Sequence, residues 1–358
     1  MGNLIDLFNF DGRGAPWCSR KQTNYCSQNG RSKPLPYQYF ETSSSNDNSL
    51  FIRFYLLLFI DFHLDKSPQK EYNKHNTTKG DFCPMGCIFD THAHYFDKKF
   101  EAVEGGADAI LCDLFENPNI AGIVNVGTNL QNAREVIEQA SRYAKMYAAV
   151  GIHPEDCHFI TDPEAALSEL SALLENEEKR KENKIVALGE IGLDYHWQSY
   201  DNGRIPMNKE LQAFFFNEQM KLAEKLSLPV IIHDREAHGD CFETILHFPN
   251  VNGVFHSYSG SPEMARELTK RGWYISFSGT VTFTNAARVR EAASAVPRDK
   301  LLIETDAPYL APHPMRGKLN HSGYLSFVLS TLAQIWNCTP EEAAEQTHQN
   351  AKTFFHIS

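Results

Sequence analysis

A (β/α)8 barrel, the TIM-barrel class of α/β folds, is what this sequence predicts, and three observations predict it. Eight short, almost wholly apolar runs recur between residues 88 and 308, and runs that are apolar throughout suit parallel strands buried on both faces. Longer segments of helical period separate them. No Gly-rich phosphate turn follows the first run, as it usually does in the rival doubly wound sheet. Eight strand–helix units in about 270 residues match the size of a closed barrel.

The elements follow in order. "CIF", ending in Asp90 of "IFDTHAH" (88–94), is the first run, and "AGIVNVG" (121–127) is the second. "LQNAREVIEQASRYA" then places Leu130, Ala133, Val136, Ile137 and Ala140 on one helical face. "YAAVGIHP" (147–154) and "KIVALGEIGLD" (184–194) are the third and fourth runs, and the helical "FFFNEQMKLAEKL" precedes the fifth, "LPVIIHD" (228–234). After "NGVFHSYSG" (252–260), "SPEMARELTKRG" opens on an N-cap at Ser261 with Pro262 at N1, and stops at Gly272. "WYISFSG" (273–279) and "LLIETDAP" (301–308) complete the eight. Two helical segments follow, the second with Thr339 and Glu342 as a capping-box pair.

Residues 1–84 read differently. They hold polar clusters such as "ETSSSNDNS" without a sustained period, and form an expected N-terminal extension that is poorly ordered or irregular, before a barrel domain over 85–358. The apolar "LFIRFYLLLFIDF" (50–62) contains Arg53 and is shorter than the roughly 20 residues a bilayer span needs. No membrane association is expected. The whole chain carries −11, and its acidity belongs to residues 85–358, where 24 Lys and Arg stand against 37 Asp and Glu, or −13. That argues against a protein that coats nucleic acid, and predicts shallow salt dependence for any DNA contact. The eight cysteines show no framework spacing, so reduced thiols and, with no targeting signal, a cytoplasmic location are expected.

In a barrel every strand's C-terminal end opens onto one face. The tips here offer His92 and His94, then His153, Glu190 and Asp194, then His233 and His256, then Glu304 and Asp306. A lone histidine at a strand end is usually structural. Four histidines (92, 94, 233, 256), Glu190 and Asp306 at five strand ends are different, because buried carboxylates and unpaired imidazoles are costly unless cations lie between them. His75, His158, His196, His238, His247, His348 and His356 lack such convergence, and "KRKENK" (179–184) reads as a solvated helix end.

With these pieces in order, the chain resembles the TatD-type metal-dependent deoxyribonucleases and hydrolases, among the amidohydrolase-like barrels. The matching segments include "FDTHAH", "GIHPED", "ALGEIGLDYHW", "LPVIIHDREAHGD", "GVFHSYSG", "IETDAPYLAP" and "RGKLNHSGYL", spanning 88 to about 355. The resemblance implies that His92, His94 and Asp306 hold one divalent ion, that Glu190 bridges to a second held by His233 and His256, and that His153 and Arg316 face a substrate phosphate. Magnesium, manganese and zinc all suit such ligands, since no thiolate enforces zinc. Two ions about 4 Å apart would activate a water for in-line attack on a phosphodiester, with Asp306 and Glu190 as the catalytic carboxylates. The implied activity is a deoxyribonuclease releasing nucleotides from 3′ ends of DNA, single-stranded or frayed, by a monomer. The alternative is a hydrolase of the same fold acting on an ester or amide, such as an aminoacyl-tRNA ester; the complete ligand set argues against a mere scaffold. At "RGKLNHSG" the chain carries His321 and Ser322 where Glu-Pro is common, which bears on substrate choice and not on metal binding.

Overall fold

The computed structural model describes residues 87–357. The expected extension, its apolar stretch and the boundary before Met85 lie outside them. Strands β1 (Ile88–Ala93), β2 (Ile120–Val126), β3 (Met146–Val150), β4 (Ile185–Asp194), β5 (Val230–Arg235), β6 (Gly253–Phe255), β7 (Tyr274–Phe277) and β8 (Leu301–Ile303) pair in that order, each parallel to the next. β8 returns to β1 through an Ala93–Ala307 bridge and bonds from His94 N to Ala307 O (2.7 Å) and from Asp306 N to His92 O (2.9 Å). The expected barrel is present.

Helices α1 (Gly106–Glu116), α2 (Leu130–Arg142), α3 (Pro163–Leu174), α4 (Glu177–Glu182), α5 (Lys209–Leu226), α6 (His238–Leu246), α7 (Pro262–Lys270) and α8 (Ala287–Ala295) alternate with the strands, and α9 (Leu325–Trp336) and α10 (Pro340–Phe355) follow β8. The signals at helix starts act as read. Ser261 caps α7 with Pro262 behind it, and Thr339 and Glu342 form the reciprocal cap of α10. No helix among the described residues is long and apolar enough to cross a membrane.

Two buried layers follow from the two-residue period of a strand. Each strand sends at least one apolar side chain to the barrel interior: Phe89, Val124, Ala149, Ala187, Ile231, Val254, Tyr274 and Leu302 pack there together with Phe354 and Phe355 of α10. Phe354 lies 5.0 Å from the Tyr274 ring and Phe355 6.3 Å from Phe89, so α10 stoppers the end of the barrel opposite the strand tips. Their neighbours, such as Ile123, Val150, Leu188, Ile232 and Ile303, join the layer under the helices.

Three details differ from the sequence reading. β8 ends at Ile303 rather than 308, because the chain bends back to meet β1. A short antiparallel pair, Ser199–Tyr200 with Ile205–Pro206, follows β4. The basic stretch 179–184 is only partly a solvated face: Arg180 is buried and donates to Leu174 O, and Lys184 Nζ donates to Ala140 O and Tyr143 O.

Candidate metal centre

The strand tips converge. Interior parity carries directly from Ile231 to His233, from Val254 to His256 and from Leu302 to Glu304. His92 and Glu190 lie where the ladder slips, since β1 shifts register between Asp90 and Ala93 and β4 between Leu188 and Ile191. Such irregularities re-aim side chains at the rims of barrels. Beside Glu190, Gly192 sits at φ +139° and a Cβ there would come 2.0 Å from His233 O; only glycine lets β4 and β5 approach so closely.

Glu190 is the centre of the arrangement. Its Oε2 lies 3.3 Å from His92 Nε2 and 3.7 Å from His94 Nε2, and Asp306 Oδ1 completes that side at 3.2 Å from His94 Nε2. Its Oε1 lies 2.7 Å from both His233 Nδ1 and His256 Nε2. All six residues expected as ligands are thus brought together, in two groups that share one carboxylate. The rings of His92 and His256 stack at 4.2 Å, joining the groups.

Hydrogen bonds behind the rings decide what each presents to the centre. His94 Nδ1 lies 2.7 Å from Val126 O, His233 Nε2 lies 2.9 Å from Asp194 Oδ2, and His256 Nδ1 lies 3.3 Å from Glu304 Oε1. A carbonyl or carboxylate oxygen only accepts, so each of these nitrogens carries a proton, and the inward nitrogen is the one left to take either a metal ion or a second proton. These inward nitrogens face one another: His92 Nε2 and His94 Nε2 are 3.1 Å apart, and His233 Nδ1 and His256 Nε2 3.2 Å. Two nitrogens on one tetrahedral ion at about 2.1 Å stand roughly 3.3–3.4 Å apart. The donor set fits a metal ion on each side.

His153 is the exception. Its Nε2 lies 3.4 Å from Glu190 Oε1 and its ring 4.3 Å from that of His233, yet its Nδ1 accepts from Glu155 N at 3.1 Å. The neutral ring therefore carries its proton on Nε2 and points a donor into the site. Arg316 stands outside the cluster, its guanidinium carbon 3.8 Å from the centre of the Phe283 ring.

Charge balance shows the same need for cations. Burial pushes the Glu190 carboxyl up, but the imidazoles of His256, His153 and His92 outweigh it and hold the group well below the ordinary value. Burial lowers His233, yet Asp194 and Glu190 carry it up to about 9. His256 is raised well above its ordinary value because Glu190 and Glu304 overcome burial, and Asp306 and Glu190 do the same for His94. His92 is lowered by burial and by neighbouring His256. Protons or metal ions must neutralise this cluster.

Asp194 and Glu304, strand-tip carboxylates to which sequence alone gives no role, are the acceptors that fix His233 and His256, and Ser276 Oγ donates to Glu304 in turn. Asp90 is a further supporting residue without a sequence signal. That buried carboxylate accepts from Thr305 Oγ1 (2.6 Å), Thr305 N (3.0 Å) and Ser322 Oγ (2.7 Å), pinning the β1–β8 joint that carries His92 and Asp306. The departure at Ser322 is therefore structural here, as is His321, which is half-buried and accepts from Gly323 N.

A family model described as TatD related DNase matches residues 89–356. An uncharacterized metal-dependent hydrolase, YabD of Bacillus subtilis, is 39% identical over 279 residues, covering 76% of this chain and all of that one. The uncharacterized metal-dependent hydrolase TatD of Mycobacterium tuberculosis is 36% identical, covering 65% of this chain and 85% of its own. Among solved structures, YjjV, a TatD homolog from Escherichia coli K12, superposes with a TM-score of 0.65 at 28% identity over 76% of this chain and 98% of that one.

Proposed function

This chain belongs to the TatD-related DNase family of metal-dependent hydrolases, and from that membership and the site's geometry we propose that it is a two-metal deoxyribonuclease. In this reading it removes nucleotides from 3′ ends of single-stranded or frayed DNA. The observation that carries the proposal is Glu190, whose two oxygens face separate sets of imidazole nitrogens. A carboxylate so placed suits two ions better than one.

His92, His94 and Asp306 would hold one ion, His233 and His256 the other, with Glu190 shared between them. Bound divalent ions supply Lewis acidity towards phosphoryl oxygens and a nucleophilic water at neutral pH; imidazole and carboxylate donors accept magnesium, manganese or zinc. The residues do the rest. His153 donates its Nε2–H to a non-bridging phosphoryl oxygen and stabilises the charge that develops there. Asp306 accepts the proton of the attacking water. Arg316, exposed on the loop after β8, pairs with a substrate phosphate. The free thiols of Cys157 and Cys241 suit a reducing compartment such as the cytoplasm, and the protein acts as a monomer.

The test is turnover of end-labelled single-stranded DNA by chelated protein after adding back magnesium, manganese or zinc. Release of nucleotides from the 3′ end with at least one metal is expected. Absence of phosphodiester cleavage with every metal, alongside robust hydrolysis of an aminoacyl-tRNA ester or a cyclic amide, would replace the nuclease with the ester or amide hydrolase.

A further inference from the structure

Next to the centre, on the side of Asp306, lies a groove of about 360 Å³ whose walls include Lys99, Phe283, Pro308, Leu310, Arg316 and Lys318. Lys99 comes from the loop after β1, Phe283 from the loop after β7, and the rest from the loop after β8. The fold therefore gathers three cations from distant stretches of a domain that is acidic overall. No acidic residue lines the groove. Among the described residues no carboxylate lies within 4.0 Å of the charged nitrogens of Lys99, Arg316 or Lys318, although several exposed cations elsewhere, such as Arg142 with Asp108 and Lys225 with Glu175, are paired.

The groove is fastened to the metal centre. Tyr309 N donates to Asp306 O at 2.8 Å, and buried Asn320 donates to Thr305 O (2.9 Å) and Tyr309 O (2.6 Å), so the loop is tied to the strand end that carries Asp306. Tyr309 stands between the two regions. Its ring centre lies 6.5 Å from that of His94, Lys99 Nζ lies 3.6 Å over its face, and its hydroxyl donates to Asp97. It remains 40% exposed while held at both ends. Unpaired cations alternating with aromatic rings are what a single nucleic-acid strand recognises: the cations meet successive phosphates and the rings meet bases.

We propose that this groove binds the phosphates flanking the scissile one, so that the substrate is a chain of several nucleotides rather than any small phosphodiester. The inference rests on the nuclease reading above and extends it to substrate length. Lys99 and Lys318 each neutralise one flanking phosphate, beyond the contact already assigned to Arg316. The overall acidity of the chain, which alone predicts shallow salt dependence, is overridden locally.

The experiment compares the wild type with the double variant Lys99→Ala/Lys318→Ala and with a charge-matched control, Lys179→Ala/Lys181→Ala, whose exposed lysines precede β4 at the opposite end of the barrel. One arm measures binding of a fluorescent single-stranded oligonucleotide to full-length, chelator-treated protein across a salt series. The other measures kcat/KM for the oligonucleotide and for bis(4-nitrophenyl) phosphate. The groove variant is expected to bind the oligonucleotide about tenfold more weakly, with a log–log salt slope shallower by about 1.4, the value for two lost single-strand phosphate contacts. Its ratio of oligonucleotide to small-diester kcat/KM falls, and the control keeps the wild-type slope. Equal affinity, slope and ratio in the groove variant and the wild type would overturn the groove, as would a wild type that does not bind the oligonucleotide. A wild type that binds the oligonucleotide but hydrolyses neither diester overturns the nuclease reading instead, and the binding arm then decides the groove alone.

Discussion

Asp194 Oδ2 sits 2.9 Å from His233 Nε2, on the side of the ring away from Glu190. That bond leaves His233 Nδ1 as the nitrogen aimed at Glu190 and His256, free to bind a metal ion once its own proton is displaced, and makes a residue that touches no substrate responsible for one half of the metal centre. Asp194→Asn replaces a pure acceptor with an amide and weakens the tautomer's anchor. Metal affinity on the His233/His256 side is expected to fall by about 10- to 100-fold, read by metal analysis after dialysis against graded free metal. Unaltered affinity would show that the ring is oriented by other contacts.

His153 is expected to behave in the opposite way. Because its inward nitrogen bears the proton, His153→Ala should keep the full metal content while losing about 10²-fold or more in kcat, the scale for one donor to a developing oxyanion. Loss of an ion from this variant would make the residue a ligand.

His94→Ala removes a lone pair from the opposite side. Turnover is expected to fall to background while far-UV circular dichroism and a single cooperative melt persist, since the barrel is held by its two apolar layers. A folded variant with wild-type turnover would take His92, His94 and Asp306 out of the chemistry.

Protons compete with metal for these sites, and the sign follows from the imidazoles. The folded His233 titrates at about 9, above its ordinary 6.5, because Asp194 and Glu190 favour the charged ring over the cost of burial. In chelated protein this stabilisation is fully present below about pH 6.5 and is lost as pH rises through about 9. The melting temperature of the chelated protein should therefore decline across that window. Metal affinity should rise across the same window as each binding event releases protons, which isothermal titration in buffers of different ionisation enthalpy measures directly. A chelated protein whose melting temperature climbs between pH 6.5 and 9 would refute the assignment.

Phe354→Ala tests the opposite end of the barrel. The ring is buried against Tyr274 and Phe355, and truncating such a phenylalanine costs about 3–5 kcal/mol. Denaturant unfolding should show that loss, with metal content unchanged in the folded fraction.

Much of this was legible in the sequence. The apolar runs and the spacing of Leu130, Ala133 and Val136 reveal the strands and helices because burial on two faces or on one stripe leaves a direct mark on residue order. His92, Glu190, His233, His256 and Asp306 were readable because a barrel makes all strand ends neighbours. What escaped depends on direction rather than position. Asp194 and Glu304 lie at the same tips as the ligands, and only the register slip in β4 and the inward turn after β8 decide which carboxylate faces the centre and which stands behind a ring. Lys99, Arg316 and Lys318 could not be read as a cluster, because loops after different strands bring them together. The inward turn of Arg180 and Lys184 has the same origin: their carbonyl partners belong to other segments or to the preceding helix end.

Anomalous diffraction from crystals of the manganese- or zinc-loaded protein tests the shared-carboxylate centre most directly. Two anomalous peaks are predicted, one between Glu190 and the pair His92 and His94, the other between Glu190 and the pair His233 and His256. A single peak, or metal bound elsewhere with Glu190 hydrogen-bonded only to protonated imidazoles, would contradict it.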